Sequence, residues 1–250
     1  MQRYRLNRMF HPTSGRCLDV AVDHGCMGEA AMLQGIEDMP AAIATLVAAA
    51  PDAIQLTVGQ APLLQACPGR AKPALVLRID TANVYSPEPS HELFSLIVGD
   101  AVDPAVRLDA ACVVLNLLDV PDHPELRRDC LDNVTRAQAA CSRAGMPLMV
   151  EPLAFAPATG GYDTVGDVDR IVGLVRQAVE LGADIIKADP TDDLAGYDRV
   201  VRAAAPAPVL VRGGGRIPDD QLLARTRTLL DQGARGVVYG RNIFQHDAPA

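Results

Sequence analysis

Residues 183–191 read ADIIKADPT, a short apolar strand that follows a helical segment and delivers one lysine, Lys187, at its carboxyl end. Pro190 stops the strand, because proline has no N–H group to donate to a neighbouring strand. The same order of a helix-length segment, a short apolar run and then polar residues recurs along the chain. We therefore predict eight strands, at residues 17–22, 53–56, 75–77, 112–115, 148–150, 185–187, 208–211 and 236–239.

Short strands that alternate with crossover-length segments form parallel sheets, and eight of them predict a TIM (β/α)8 barrel. We expect a single domain over residues 1–250, with a loop at residues 81–91, which contain Pro87 and Pro89. Too few residues follow Gln245 for a full eighth outer helix, so we expect that helix to be short or missing. The predicted helices are residues 1–10, 39–50, 93–108, 124–144, 168–181 and 219–231.

The composition argues against several classes of protein. A net charge of −8 and a pI near 5.1 argue against a nucleic-acid partner and against a basic patch that binds membranes. No apolar run approaches the roughly 20 residues of a membrane-spanning helix. The six cysteines contain no Cys-x-x-Cys pair, and the sequence shows no signal peptide. We therefore expect free thiols and a cytoplasmic protein that acts on a small molecule.

Lysine is rare in this chain. Of the 23 basic residues only Lys72 and Lys187 are lysines. Arginine keeps its proton at neutral pH, so lysine is irreplaceable only where amine chemistry is needed. An ammonium at the end of an apolar strand is poorly solvated, which lowers its pKa and favours the neutral amine that forms Schiff bases. The structural alternative is that Lys187 reaches solvent or pairs with Asp189, and we interpret Lys72 as a surface-loop charge.

Two carboxylates end strands across the predicted barrel from Lys187. Asp23 follows the first strand and Glu151 the fifth, so both are expected to point toward the lysine at the mouth of the barrel. With a pKa raised by partial burial, either could transfer the protons that Schiff-base chemistry requires. The alternative is that they only pair with Lys187 or an arginine. His24 could hold Asp23, shuttle protons or serve the structure alone. Other possible acids are Tyr85, Tyr162 and Tyr239.

Glycine-rich turns follow the last two strands. In TIM barrels the loops at these positions frequently bind phosphate, because their backbone N–H groups can approach an anion closely. The alternative is that the glycines only permit tight turns. We assign Arg78 and Asn116, which end strands three and four, to substrate binding, together with His24 after strand one. The residues predicted to bind phosphate are Gly213, Gly214, Gly215, Gly240, Arg212 and Arg241, with Arg216 as a further candidate.

The sequence does not point to a metal site. The five histidines, at positions 11, 24, 91, 123 and 246, are widely spaced, and no cluster of cysteine and histidine is present. No Gly-x-Ser-x-Gly elbow indicates a serine hydrolase. We therefore expect no metal and no cofactor.

Five segments, read together, resemble the class I (Schiff-base) aldolase superfamily, which groups bacterial and archaeal fructose-bisphosphate aldolases with deoxyribose-phosphate and tagatose-bisphosphate aldolases. They are VAVDHG at 20–25, EPL at 151–153, IIK at 185–187, GG at 213–214 and GRNIFQ at 240–245. The resemblance implies that Lys187 forms the Schiff base, that Asp23 is an acid or base, and that a phosphate lies near Gly213, Gly214, Gly240 and Arg241. It also implies a homo-oligomer.

The chain departs from the archaeal-type members at Leu153, where their pattern has a proton-donating tyrosine. Glu151-Pro152-Leu153 is similar instead to the tagatose-bisphosphate branch, in which the glutamate moves the proton. The choice among Glu151, Asp23 and a tyrosine as acid therefore stays open.

We expect a metal-independent class I aldolase, a lyase that cleaves or forms a C–C bond in a phosphorylated ketose or related sugar. One alternative is a lysine-dependent acyl- or aldehyde-transfer enzyme of the thiolase or transaldolase kind. Others are a catalytically inactive sugar-phosphate-binding protein and a metal-dependent aldolase.

Overall fold

Eight parallel strands close into a barrel in the computed structural model, which describes residues 1–69, 71–86, 92–100 and 102–246. Within those residues the strands are β1 (Cys17–Ala21), β2 (Ala53–Thr57), β3 (Ala74–Arg78), β4 (Asp80–Ala82), β5 (Ser95–Ile97), β6 (Cys112–Asp119), β7 (Leu148–Ala158), β8 (Gly161–Thr164), β9 (Ile185–Ala188), β10 (Val209–Arg212) and β11 (Gly236–Tyr239). The ring runs β1, β2, β3, β6, β7, β9, β10, β11 and back to β1. The predicted TIM barrel is confirmed.

Helices cover the outside of the ring. The α-helices of the described residues are α1 (Gln2–Asn7), α2 (Met39–Ala49), α3 (Ala61–Ala66), α4 (Asp103–Arg107), α5 (Pro124–Ala144), α6 (Val168–Glu180), α7 (Tyr197–Ala204), α8 (Asp219–Asp231) and α9 (Arg241–Phe244). Helix α9 has only 4 residues, which confirms that the eighth outer helix is short.

Local sequence sets where the helices begin and end. The Asp38 carboxylate accepts a hydrogen bond from the N–H of Ala41 and caps α2, and Asp167 caps α6 in the same way through Arg170. Gly145 ends α5 with φ of 60°, a left-handed conformation that glycine adopts without steric cost. These signals fix the ends of helices that connect successive strands of the barrel. The barrel strands run parallel, so their carboxyl ends lie at the same face.

The amino-terminal end of the barrel is closed. Met9, just after α1, is fully buried against the first residues of several strands, among them Cys17, Ala53 and Cys112. The predicted helix at residues 1–10 thus forms only over Gln2–Asn7, and the chain beyond it plugs the barrel. Met9 therefore covers the amino-terminal end of the barrel interior.

One predicted helix is largely wrong. Residues 93–108 were expected to be helical, but Ser95–Ile97 forms β5, which pairs antiparallel with β4. Helix α4 begins only at Asp103, where Pro104 occupies the first turn, a position that tolerates proline. Of the predicted loop at residues 81–91, the last five, Pro87 to His91, lie outside the described residues. Its first two residues, 81 and 82, belong to β4 and not to a loop.

Lys72 is more than a surface charge. Its Nζ donates to the carbonyl oxygens of Leu64, Gln65 and Cys67 at 3.3, 2.9 and 3.2 Å. These carbonyls lie at the carboxyl end of α3, where a cation complements the helix dipole. Lys72 thus caps that helix.

An acidic side chain lies inside the barrel. Asp19, on β1, is fully buried, and neither carboxylate oxygen has a hydrogen-bond partner among the described residues. Burial raises the pKa of Asp19 to about 7, although the charge of Lys187 opposes the rise. The folded protein therefore holds a proton on Asp19 at pH values where the unfolded chain has lost it.

This proton makes the stability of the protein depend on pH. The free energy of unfolding should fall as the pH rises from about 4 through 7, because the folded state binds more protons than the unfolded state over that range. Asparagine cannot ionise. We therefore expect the free energy of unfolding of Asp19→Asn to exceed that of the parent by about 1–4 kcal/mol at pH 8 and to approach it near pH 4. Urea unfolding at both pH values measures this difference. Asp163→Asn, at an exposed position, is the control, and an equal effect of Asp19→Asn at both pH values would contradict the account.

Candidate active site

Lys187 lies inside the mouth of the barrel. It is on β9, near the strand's carboxyl end, and only 4% of its surface is exposed. Its Nζ is 3.0 Å from Glu151 Oε2 and 3.5 Å from Gln55 Oε1. Lys187 therefore does not reach solvent. It also does not pair with Asp189, whose Oδ1 accepts a hydrogen bond from Arg212 Nη1 at 2.8 Å.

Glu151 is surrounded by cations. Besides Lys187, its Oε2 accepts from Arg78 Nη2 at 2.5 Å and its Oε1 lies 3.0 Å from Arg212 Nε. Burial alone would raise the pKa of Glu151, but the charges of Lys187, Arg78 and Arg212 hold it well below its usual range. Our expectation of a raised pKa is therefore wrong for this carboxylate. It is an anion whose two oxygens are already occupied.

Asp23 reaches the lysine through a neighbour. Its Oδ2 accepts from Gln55 Nε2 at 2.6 Å and from Arg78 Nε at 2.7 Å. Against the effect of burial, the charges of Arg78 and Lys187 lower the pKa of Asp23 as well. Gln55 thus links Asp23 to Lys187. Our sequence analysis did not assign Gln55 to the site, although a polar residue in the apolar strand β2 was the available signal.

Arg78 holds the carboxylates in place. In addition to Asp23 and Glu151 it binds Asp80, whose Oδ1 accepts from Nη1 at 3.1 Å. Asp80 Oδ2 in turn accepts from the backbone N–H and the side-chain amide of Asn116, both at 2.9 Å. Arg78 was predicted to bind substrate, but each of its three guanidinium nitrogens already donates to a carboxylate. These bonds hold the three carboxylates in place, and because Arg78 also lines the cavity, its role in substrate binding stays a prediction.

One cavity brings most of the predicted residues together. Its wall includes the three proposed catalytic residues and also Tyr85, Met27 and Met32. The predicted binding residues that line it are His24, Arg78, Asn116, Arg212, Gly213, Gly214, Gly240 and Arg241. Gly215 and Arg216 do not line it. Gly215 lies on the exposed side of its turn, where its carbonyl accepts from Asn242 at 3.1 Å, so its role stays a prediction.

The glycines at the cavity wall keep the two turns free of side chains. A Cβ at Gly240 would meet His24 Cε1 at 2.5 Å and the carbonyl oxygen of Ala21 at 2.7 Å. Gly214 has φ of +67°, and a Cβ there would meet no atom within 4 Å, so its backbone is accessible. The turns are thus shaped for close approach as well as for tight turning.

Arg241 is a cation without an acidic partner. It makes no ion pair with any carboxylate of the described chain, and its Nε is buried without a hydrogen bond. Burial, and then the charge of Arg212, lower the pKa of Arg241, because both disfavour the cation. Two guanidinium groups and the glycine turns therefore make this side of the cavity suited to an anion.

His24 is a neutral imidazole at physiological pH. Burial lowers its pKa to about 4, against the opposing charge of Asp23. Its ring packs edge-on against Phe244 with centroids 5.2 Å apart, and its Nδ1 has no hydrogen-bond partner in the described chain. The ring therefore lies between the carboxylates and the glycine turn at Gly240 without adding a charge.

Neither a metal-binding cluster nor a membrane-spanning helix occurs among the described residues. No three side chains among His, Cys, Asp and Glu are grouped so that they could hold a metal ion. None of the helices there combines the length and apolar character that crossing a bilayer demands.

Comparison with proteins of known sequence identifies relatives over nearly the whole chain. The 3-hydroxy-5-phosphonooxypentane-2,4-dione thiolase of Escherichia coli is 33% identical, over 98% of this chain and 77% of its own length. An uncharacterized aldolase of Saccharolobus solfataricus is 32% identical, over 98% of this chain and 89% of its own.

Solved structures share the fold. A Schiff-base-forming fructose-1,6-bisphosphate aldolase superposes with a TM-score of 0.79 at 23% identity, covering 98% of this chain and 94% of the other. A second structure is that of an archaeal fructose-1,6-bisphosphate aldolase with its catalytic lysine covalently bound to the carbinolamine intermediate of the substrate. It superposes with a TM-score of 0.79 at 24% identity, covering 98% of this chain and 94% of the other.

A family model assigns the chain directly. The model of the DeoC/LacD family aldolases matches residues 17–246, which include every strand of the barrel. The predicted resemblance to class I aldolases is thereby confirmed, and the chain belongs to the DeoC/LacD family of aldolases.

Proposed function

We propose that this protein is a class I aldolase that cleaves or forms a C–C bond in a phosphorylated ketose through a Schiff base on Lys187. The observation that carries the proposal is one cavity that is lined both by a buried amine and by an arginine without an acidic partner among the described residues. A ketose phosphate has a carbonyl for the first and an anion for the second.

The phosphate is held away from the reacting bond. Arg241 and Arg212 supply charge, and the backbone of Gly213, Gly214 and Gly240 can approach the phosphate oxygens. The turn itself is fixed, because the Asn242 amide donates to the Gly213 carbonyl at 3.1 Å. Binding energy from the phosphate then serves to orient the ketone against Lys187.

Lys187 attacks the ketone carbon, and loss of water from the carbinolamine gives a cationic iminium. The iminium lies where the ammonium lay, 3.0 Å from Glu151 Oε2 in the free protein. Both Glu151 oxygens already hold cations, so we assign Glu151 to stabilising this charge.

Asp23 is the base we assign to the cleavage step. Its Oδ2 is occupied by Gln55 and Arg78, but no hydrogen bond in the described chain occupies its Oδ1. Oδ1 takes the proton of the substrate hydroxyl as the C3–C4 bond breaks and its electron pair moves into the iminium. An aldehyde leaves, and an enamine stays on Lys187.

A second candidate is acyl transfer of the thiolase kind. It is favoured by the 33% identity to the Escherichia coli protein that carries a thiolase name. A second cavity, of about 440 Å³, adjoins the first, shares Asp23 and Arg78 with it, and offers space for an acceptor. Product analysis with and without a thiol separates the two, since only transfer yields a thioester.

We further propose that residues 1–250 form one domain and that the protein acts in the cytoplasm as a homo-oligomer. The six cysteines are all described and all free, which suits a reducing compartment. Phe94, Leu96 and Val98, along and beside β5, are exposed apolar side chains that a second copy could cover.

Borohydride reduction in the presence of a ketose phosphate should attach the substrate covalently to Lys187. Intact-mass and peptide-mass spectrometry with fructose 1,6-bisphosphate and dihydroxyacetone phosphate would locate the adduct. Lys187→Arg keeps the charge that pairs with Glu151 but cannot form an imine, so we expect activity to fall about 10³-fold or more. Lys72→Arg is the matched control, since it changes the other lysine. Cleavage that survives in Lys187→Arg would refute the proposal, and a parent that forms no imine would favour a binding protein.

Arg241→Met tests the phosphate site. Loss of a charge-assisted hydrogen bond costs about 1.5–3 kcal/mol, so KM for a phosphorylated ketose should rise roughly 10- to 150-fold. Adduct formation with an unphosphorylated ketose at saturating concentration should change little. Arg216→Met is the control, because Arg216 does not line the cavity. Its Nη2 instead donates a hydrogen bond to His246 Nδ1 at 3.2 Å. Equal effects of the two substitutions would show that Arg241 contributes only general charge.

A further inference from the structure

The proposed reaction needs a proton donor at the enamine carbon. After cleavage, the enamine carbon must gain a proton before the product can leave. In the free protein, neighbouring cations lower the pKa values of Glu151 and Asp23, and Asp23 gains a proton only from the substrate hydroxyl at cleavage, while the arginines keep their protons at neutral pH. A neutral side chain that faces the same cavity and carries a transferable hydrogen before the reaction begins is therefore a candidate donor.

Tyr85 is the tyrosine that lines the cavity containing Lys187. Its ring packs against Phe155 of β7 with centroids 5.8 Å apart. Tyr162 and Tyr239 do not line this cavity, and their hydroxyls lie 2.8 Å from His123 Nε2 and 2.6 Å from Thr226 Oγ1. The Tyr197 hydroxyl donates to the Ala188 carbonyl.

The hydrogen bond of Tyr85 has only one possible direction. Arg212 Nη2 lies 3.1 Å from Tyr85 Oη, and a guanidinium can only donate, so the tyrosine oxygen accepts. The hydroxyl hydrogen is then not used in that bond, and no acceptor in the described chain takes it. It is available to a molecule in the cavity.

The oxygen of Tyr85 is also held in place. Arg212, which donates to it, is fixed on its other nitrogens by Glu151 Oε1 at 3.0 Å and Asp189 Oδ1 at 2.8 Å. Its charge lies beside the position where a tyrosinate would form. Arg212 thus lowers the cost of losing the proton.

We propose that Tyr85 is a catalytic residue that donates the proton to the enamine carbon on Lys187, an assignment that rests on the aldolase function proposed above. The O–H bond of Tyr85 breaks and a C–H bond forms at C3, while the enamine electrons regenerate the iminium. The tyrosinate is stabilised by Arg212 and is reprotonated, through solvent, by the proton that Asp23 took from the substrate hydroxyl. In the synthetic direction the same oxygen removes the C3 proton.

The protonation state of Tyr85 agrees with this role. Burial raises its pKa to about 12, although the charge of Arg212 opposes the rise. The hydroxyl is therefore protonated throughout the neutral range and begins the cleavage reaction as the acid.

Exchange of hydrogen with solvent tests the assignment separately from imine formation. With dihydroxyacetone phosphate in deuterated water, the parent enzyme should exchange one hydrogen at C3, which NMR follows. Tyr85→Phe should still give the borohydride adduct on Lys187, within about threefold of the parent. Its exchange and cleavage rates should fall about 10²- to 10⁴-fold, the usual contribution of a general acid.

Tyr162→Phe is the matched control and should leave adduct formation and exchange unchanged. Exchange at the parent rate in Tyr85→Phe would overturn the proposal. A parallel loss of adduct, exchange and thermal stability would also overturn it, because it would assign Tyr85 a structural role. A parent that forms no adduct would overturn the aldolase function as well, so the two failures are distinguishable.

Discussion

The charge network around Arg78 is the constraint on which the site depends. One guanidinium, with about 4% of its residue exposed, donates to Asp23, Asp80 and Glu151, which are buried to a similar extent. Buried charges are stable only when they are paired and hydrogen-bonded, so removing one member leaves the others uncompensated. Lys187 and Arg212 are the other two cations that pair with the Glu151 carboxylate. The amine is therefore positioned by electrostatics as much as by its strand.

This network divides the mouth of the barrel into two sides with different chemistry. On one side the carboxylates are paired with cations and lie around the amine. On the other, Arg241 and the glycine turns leave positive charge and backbone N–H groups without an anion. Arg212 belongs to both sides, since it binds Glu151 and Asp189 and also reaches Tyr85. A substrate with a carbonyl at one end and a phosphate at the other matches this division.

The fold and the position of Lys187 could be predicted from the sequence because parallel strands bring their carboxyl ends to one face, whatever the helices do. Features that depend on contacts distant in sequence could not. The pairing of β4 with β5 replaced a predicted helix, since hydrogen bonds between strands override local helix propensity. The lowered pKa of Glu151 depends on three cations from three other strands. Gln55 and Tyr85 gave only weak signals, a polar residue in an apolar strand and a tyrosine in a loop.

The scarcity of lysine has a consequence for the proposed reaction, which releases an aldehyde. Aldehydes condense with any accessible alkylamine, which is the first step of glycation. Here Lys72 is engaged by three carbonyls at a helix end and Lys187 is enclosed in the barrel. Nearly all other positive charge is carried by arginine, which does not form imines with simple aldehydes. The side chains of the protein thus offer few accessible amines to the aldehyde that it is proposed to release.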